Sequence, residues 1–166
     1  MLKESQNRVR SMALVHEQLY QSKDLSNIDF AEYIQNLAHN LFQAYEIHAQ
    51  GIKLQTNIAQ CSLNIDTAVP CGLIINELVT NALKYAFTGQ MKGKINIDFT
   101  LDNRVCVLTV SDSGIGFPQD LDYRKARTLG LRLVGSLVKQ IRGKIELLET
   151  AGTTFKITFC QPKLHS

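Results

Sequence analysis

Apolar residues recur at helical spacing in the first part of the chain. Residues 2–23 carry this pattern with no internal Gly or Pro, which predicts an amphipathic helix. A turn is expected over residues 24–28, and Asp29-Phe30-Ala31-Glu32 has the spacing of a capping box. A second helix is therefore predicted over residues 30–47, ending before Gly51.

After Gly51 the apolar period changes to two. Residues 52–58 alternate between apolar and polar, and Leu63 and Ile65 continue the alternation after a break, so two short strands are predicted. Pro70 then occupies a position that suits the first turn of a helix. The helix predicted over residues 71–87 is apolar on nearly all sides and should be buried.

The second half of the chain reads as two hairpins separated by a helix. Alternating runs at 95–99 and 105–109 are joined by residues 101–103, and the final strands, 144–148 and 154–159, are joined by residues 151–152. Between the hairpins, residues 128–142 predict a helix that ends at Gly143. This order predicts an α+β two-layer sandwich, because the regular βαβ alternation of a Rossmann sheet is missing.

Composition and charge narrow the class of protein. With 166 residues, 45% hydrophobic and 20% charged, the chain fits one globular domain with a short appendage. The net charge of +3 comes without the basic clusters of a nucleic-acid-binding protein. We expect no membrane segment and a cytoplasmic location, because the sequence contains neither a long apolar run nor a signal-peptide pattern.

The four cysteines and four histidines show no metal-binding pattern. Cys61, Cys71, Cys106 and Cys160 form no CxxC pair, and structural zinc is therefore not expected. Because three of the four have apolar neighbours, we expect reduced, half-buried thiols.

A polar stripe interrupts the buried helix predicted over residues 71–87. At 100° per residue, Glu77, Asn81 and Lys84 fall within an arc of about 60°, and apolar residues cover the rest. Burying a carboxylate, an amide and an ammonium group unpaired is costly. These groups therefore pair with one another, face solvent, or face a polar ligand.

A glycine loop follows the strand that ends at Val110. In Asp112-Ser113-Gly114-Ile115-Gly116, Gly114 and Gly116 allow a tight turn and a close approach to a flat ligand. Asp112, at the end of the strand, offers an acceptor for an exocyclic amine. Taken alone, the loop is a weak motif and is explained by a simple turn.

Two further segments have ordinary explanations when each is taken alone. Gly130 opens a helix, where free N–H groups and the helix dipole favour phosphate. Thr153 and Thr154 place hydroxyls at the start of the last strand, where turn chemistry alone explains them.

In this order and at this spacing, the four segments resemble the nucleotide-binding boxes of the Bergerat (GHKL) ATPase and kinase superfamily. The resemblance covers residues 52–161 approximately. Residues 8–20, followed by 29–34, are similar to the part of HisKA_2 and HWE-like sensor histidine kinases that follows the phosphoacceptor helix. The resemblance implies a helical segment at 1–50, part of a dimerisation and phosphotransfer region, and an ATP-binding catalytic domain at 51–166.

The resemblance also implies roles for individual residues toward ATP and Mg²⁺. Asn81 would be the magnesium ligand, and Glu77 would lie near the transferred phosphoryl group as a polarising carboxylate. The remaining site residues would contact the nucleotide: Lys84 and Tyr85 beside the phosphates and adenosine, Asp112, Gly114, Gly116 and Thr153 around the base, and Gly130, Leu131 and Leu133 at the end of the ATP lid.

The chain departs from the family pattern in two places. No stretch similar to the family's HHRVKNN is present, so the acceptor histidine is expected in a domain outside this chain, and His16 is expected to have a packing or surface role. Residues 119–127 would form a short lid, in which Arg124, Lys125 and Arg127 either reach the phosphates or are simply exposed.

Partners and alternatives follow from the same resemblance. A histidine-bearing phosphotransfer domain and a response regulator are the expected partners, with a homodimer through residues 2–47 as a further expectation. Two other functions remain open: an anti-sigma-like module that binds ATP without turnover, and an ATPase in which Glu77 activates water.

Overall fold

The computed structural model describes residues 2–45, 49–89, 92–125 and 128–163. Helix α1 (Leu2–Tyr20) opens the chain, followed by the short strand β1 (Ile28–Asp29) and helix α2 (Phe30–Ala44). The Asp29 carboxylate accepts a hydrogen bond from the Glu32 N–H at 3.0 Å, which confirms the predicted start of the second helix. Residues 46 and 47, the predicted end of that helix, lie outside the described residues.

The central sheet has five strands in the order β2-β4-β5-β7-β6. The members are β2 (Ile52–Ile58), β4 (Gly93–Asp102), β5 (Val105–Asp112), β6 (Lys144–Glu149) and β7 (Thr153–Cys160). Strand β2 pairs parallel to β4, and the other neighbours pair antiparallel. A separate two-stranded sheet joins β1 to β3 (Ser62–Leu63).

Two more helices complete the helical layer. Helix α3 (Ile65–Asn81) continues directly into a π-helical turn (Ala82–Ala86), and helix α4 (Leu129–Gln140) follows a short 3₁₀ turn (Tyr123–Lys125). The buried side chains of α1, α2, α3 and α4 form one apolar core with the inward face of the sheet. The predicted α+β two-layer sandwich is confirmed.

The start of α3 was predicted wrongly. The helix begins at Ile65, which was predicted to be in a strand, and Pro70 lies inside it. The cause is a cap, since the Asn64 side chain accepts a hydrogen bond from the Thr67 N–H at 3.0 Å. The cap satisfies a first-turn N–H and fixes the helix start before the proline is reached.

The first hairpin turns slightly later than predicted. Its tip is Asn103-Arg104, with φ values of 46° and 73°, rather than residues 101–103. Two positive φ values give the turn the twist that matches antiparallel strands. On β5 the buried residues are Cys106, Leu108 and Val110, so the alternating positions 105, 107 and 109 lie on the outer face of the sheet.

The cysteine prediction is partly confirmed. All four thiols are free; Cys71 and Cys106 are buried, Cys61 is half-buried and Cys160 is exposed. Burial raises the pKa of Cys106 to about 11, so this thiol is protonated at neutral pH. Within the described part of the chain, no helix is both long and apolar enough to cross a membrane.

Candidate functional site

The glycine loop after β5 lies against the end of the helix that carries the polar stripe. The Ile115 N–H donates to the Ala86 carbonyl oxygen at 2.8 Å. A side chain at Gly114 would overlap the same carbonyl, so the contact needs glycine there. The stripe and the loop are therefore neighbours in space, although about thirty residues of sequence separate them.

The Asp112 carboxylate is held by two backbone N–H groups. Its Oδ1 accepts from Gly114 at 2.9 Å and from Thr153 at 3.2 Å. Desolvation by burial raises the pKa of Asp112, and these two hydrogen bonds oppose the rise. Among the described residues, none donates a hydrogen bond to the other carboxylate oxygen, which is the atom that a base amine would need.

Two glycines bring the loop and the last hairpin together. A side chain at Gly152 would overlap the Asp112 carbonyl oxygen. Gly116 has a φ of 87°, a backbone conformation that side chains other than glycine rarely adopt. The sequence predicts a site role for Gly116, whereas it predicts Gly152 only as part of a turn.

The exposed residues beside the loop are apolar or amphipathic. Tyr85, on the π-helical turn, is 58% exposed and Ile115 is 62% exposed. Both lie next to the Ala86–Ile115 hydrogen bond. Turns of the π-helical type occur frequently at functional sites, and these two residues add an exposed, largely apolar surface beside the glycine loop.

The three members of the polar stripe have different environments. Asn81 ends α3 and is half-buried. The Lys84 ammonium lies 5.9 Å from the centre of the Tyr45 ring at the end of α2, a distance at which the ring attracts a cation. Glu77 is buried and forms an ion pair with Arg8 of α1. Glu77 and Lys84 therefore each have a partner outside the stripe.

The pair between Arg8 and Glu77 was not found from the sequence. The Arg8 Nε donates to Glu77 Oε1 at 2.7 Å, and Nη2 donates to Oε2 at 3.2 Å. A signal did exist, because Arg8 shares a helix face with the buried residues Val15 and Leu19. A cation on an apolar face indicates a buried partner.

The start of α4 lies on this ion pair. Gly130 is buried, and a Cβ there would lie 2.7 Å from Glu77 Oε2 and 3.2 Å from Arg8 Nη2. Leu131 and Leu133 are half-buried against the core. Thr128, at the N-cap, makes no side-chain hydrogen bond to the first turn of the helix.

The described part of the lid is anchored by aromatic contacts. Phe117 and Tyr123 contact the Phe155 ring edge-on, with ring centres 6.0 Å and 5.6 Å away, and the Tyr123 hydroxyl donates to the Ile145 carbonyl at 3.1 Å. Arg124 lies over the Tyr123 ring. The predicted role of Arg127 falls outside the described residues.

The described side chains do not form a metal site without oxygen ligands from a bound nucleotide. Over the described ranges, no group of three or more His, Cys, Asp or Glu side chains could hold a metal ion. His16 is exposed, and its ring stacks on Tyr20 with ring centres 5.9 Å apart. A magnesium ion here would need phosphate oxygens in addition to the Asn81 amide oxygen, which is how Mg²⁺ often binds at nucleotide sites.

Comparison with known proteins agrees with this geometry. Residues 1–45 match the HisKA_2 family model, described as histidine kinase, and residues 66–163 match the HATPase_c family model, described as histidine kinase-, DNA gyrase B-, and HSP90-like ATPase.

Two curated relatives are histidine kinases by name. Sensor histidine kinase PdtaS of Mycobacterium tuberculosis is 31% identical over 81% of this chain and 27% of its own length. Blue-light-activated histidine kinase 2 of Erythrobacter litoralis is 29% identical over 58% of this chain and 28% of its own length. The chain therefore spans about a quarter of the length of these relatives.

A solved structure has the same fold. The histidine kinase domain of the Erythrobacter litoralis EL346 blue-light-activated kinase superposes with a TM-score of 0.83 at 22% identity, covering 93% of this chain and 75% of that one. The predicted resemblance is confirmed: the chain belongs to the histidine kinase-, DNA gyrase B-, and HSP90-like ATPase family, and the segment that matches the HisKA_2 model precedes the part that matches this family.

Proposed function

We propose that this chain is the ATP-binding catalytic part of a sensor histidine kinase, which transfers the γ-phosphoryl group of ATP to a histidine outside this chain. The observation that carries the proposal is the contact between Ile115 and Ala86. It places the Asp112 carboxylate beside the end of the helix that carries Asn81, and these are the groups that a purine base and a magnesium-bound triphosphate would need.

The base would bind at Asp112. Its Oδ1 is fixed by the Gly114 and Thr153 N–H groups, so Oδ2 can accept a hydrogen bond from the adenine amino group without rearrangement of the loop. A guanine base presents a carbonyl oxygen at the corresponding position and would repel the carboxylate. Adenine selectivity is therefore expected from this residue.

The phosphates would lie between Asn81 and the start of α4. Magnesium, when bound, would neutralise charge on the triphosphate and orient it for transfer. The Asn81 amide oxygen would ligate the ion, while Lys84, Tyr85, Gly130, Leu131 and Leu133 would line the triphosphate and adenosine. This fits a site that works by position and charge, without a covalent intermediate on the protein.

The transfer step forms one bond to phosphorus and breaks one, with ADP as the leaving group. An imidazole nitrogen of the acceptor histidine bonds to the γ-phosphorus as the bond from phosphorus to the β,γ-bridging oxygen breaks, and ADP leaves. The imidazole N–H proton passes to water. Glu77, the carboxylate expected near the transferred group, would polarise the imidazole and stabilise its positive charge.

Several wider features belong to the same proposal. Residues 1–50 would be part of the dimerisation and phosphotransfer region, and residues 51–166 the catalytic domain. The partners would be a histidine-bearing phosphotransfer domain, a response regulator and a second copy of the chain. Because the phosphoryl donor is ATP, the reaction belongs in the cytoplasm.

Labelled phosphate tests the proposal directly. The chain is incubated with Mg²⁺, [γ-³²P]ATP and a separately produced helical domain that carries a histidine. Acid-labile label on that domain is the expected result, because phosphohistidine hydrolyses in acid. ATP binding with neither labelled acceptor nor released phosphate would support a non-catalytic regulatory module instead. Steady phosphate release without acceptor would support an ATPase in which Glu77 activates water.

A further inference from the structure

The carboxylate assigned to phosphoryl transfer is held by a residue from outside the ATP-binding domain. Arg8 lies in α1, within the segment that matches the HisKA_2 family model, and Glu77 lies in α3, within the part that matches the ATPase model. The two residues are 69 positions apart in sequence. The pair is therefore a tertiary contact between the two segments.

The geometry of the pair fixes the direction of the carboxylate. The contacts from Nε to Oε1 and from Nη2 to Oε2 use both oxygens, a planar bidentate arrangement that lysine cannot reproduce. The Glu77 side chain is only 4% exposed. Because each carboxylate oxygen has a second lone pair, the pair orients Glu77 while leaving it able to accept another hydrogen bond.

A third element closes the arrangement. Gly130, at the end of the lid, leaves no room for a side chain beside Glu77 Oε2 and Arg8 Nη2. The ion pair thus lies at a junction of α1, α3 and the start of α4. A displacement of Arg8 would therefore also move the Glu77 carboxylate and the first turn of α4, because packed contacts transmit such shifts.

We propose that Arg8 is a positioning residue for phosphoryl transfer: its guanidinium sets the direction of the Glu77 carboxylate from α1, so that the ATP site is complete only when α1 is docked. The inference rests on the proposed function. It assigns Arg8 no contact with ATP, and therefore predicts an effect on the transfer rate that is separate from any effect on ATP binding.

The experiment compares Arg8→Gln and Arg8→Lys with Arg10→Gln, an exposed neighbour on the same helix. The rate of acceptor labelling is measured against ATP concentration in the assay above. We expect R8Q to lower kcat by about tenfold or more while changing the KM for ATP by less than about threefold, the pattern of an interaction that acts in the transition state. R8K should recover part of the rate, and R10Q should behave as the wild type.

A second pair of variants disturbs the junction without removing charge. Gly130→Ala places a methyl group against the ion pair, whereas Gly135→Ala, in the same helix, meets nothing within 4 Å. We expect G130A to lower kcat and G135A to preserve it. The loss from G130A should be smaller when R8Q is already present, because residues that share a contact are not additive.

The outcomes separate the two proposals. A wild-type chain that labels no acceptor overturns both. A wild-type chain that labels the acceptor, together with an R8Q variant of unchanged kcat, overturns the inference alone. Parallel losses of kcat, ATP affinity and thermal stability in R8Q would also overturn it, because they would indicate a merely structural pair. If R8Q fails to fold, R8K decides by the same criteria.

Discussion

Asn81 is the residue on which the proposed magnesium site depends most. It ends α3 just before the π-helical turn and is half-buried. An amide at this position offers Mg²⁺ an oxygen ligand without adding negative charge beside the triphosphate. The fold places Asn81 at the end of the helix, next to the glycine loop.

Asn81→Ala should abolish magnesium-dependent ATP binding while leaving the chain folded, because the substitution removes the proposed ligand at a position that is not fully buried. ATP affinity would be measured by calorimetry with and without Mg²⁺, and folding by circular dichroism. Asn57→Ala, an exposed asparagine on β2, is the control. Tight Mg²⁺-dependent binding by N81A would contradict the site assignment.

Asp112→Asn should weaken ATP binding by about 1–3 kcal/mol, because one amide group cannot accept from the Gly114 and Thr153 N–H groups and also from adenine. The loss should be specific to adenine nucleotides. Titration with ATP and GTP checks this, since the preference for ATP should shrink in the variant. Equal affinity of D112N and the wild type for ATP would remove Asp112 from the base site.

The same substitution should change how the free energy of unfolding depends on pH, because the Asp112 carboxylate is partly buried. Because burial raises the pKa of Asp112 in the folded state, the fold favours its protonated form. The free energy of unfolding of the wild type should therefore rise, relative to D112N, as the pH falls through the raised pKa toward the ordinary value. Urea unfolding of both proteins at several pH values measures this. A difference that does not vary with pH would contradict it.

At the residue scale, single motifs were predictable but their partners were not. Asp112, Gly114 and Gly116 could be named because they follow one another after a strand. Arg8 could not be paired with Glu77, because its place on an apolar helix face indicates a buried partner without identifying that partner across 69 positions. Gly152 was likewise recognised only as a turn residue. Glycine is needed there because a side chain would overlap the carbonyl oxygen of Asp112.

At the element scale, helix α3 shows how a local cap overrides a general rule. Proline is favoured in the first turn of a helix, which led to a predicted start beside Pro70. The Asn64 cap and Asp66 in the first turn place the start earlier. The hydrophobic pattern identified every later strand of the sheet, because alternation depends on burial of one face. Boundaries depend on single hydrogen bonds.

Asn64→Ala should destabilise the chain by about 1 kcal/mol, the usual contribution of an N-cap side chain. The loss should appear in the midpoint of urea unfolding with an unchanged slope, because the folded structure and the surface exposed on unfolding stay the same. Asn57→Ala again serves as the control. An effect of N64A no larger than that of N57A would show that the cap contributes nothing to stability.

At the scale of the whole molecule, the two opening helices differ in how they use their apolar faces. The face of α2 is buried within the chain, with Phe30, Ile34 and Leu41 at most 1% exposed. Helix α1 buries Val15 and Leu19 but leaves another face in solvent. The sequence predicted both faces without deciding whether they pair between chains or pack on the domain, because periodicity alone does not identify the covering partner.

Three large apolar residues of α1 lie on one exposed face. Leu2, Val9 and Tyr20 are 82%, 66% and 66% exposed, and at 100° per residue they fall within about 20° of one another. Three large apolar side chains in one row are costly to leave in water. A second copy of α1 would cover them, which agrees with the proposed homodimer and leaves Arg8, on the inward face, in contact with Glu77.

Val9→Asp should therefore weaken self-association by about tenfold or more, because each copy would bring a charge into an apolar contact. Sedimentation velocity over a range of chain concentrations measures the dimer fraction. Arg10→Asp, on the neighbouring exposed flank of α1, is the matched control and should leave that fraction nearly unchanged. Since Val9 points away from Glu77, ATP affinity should be the same in V9D and the wild type. Equal dimer fractions for V9D and the wild type would exclude this face as the dimer contact, whereas a joint loss of association and ATP binding would mean that α1 had left the domain.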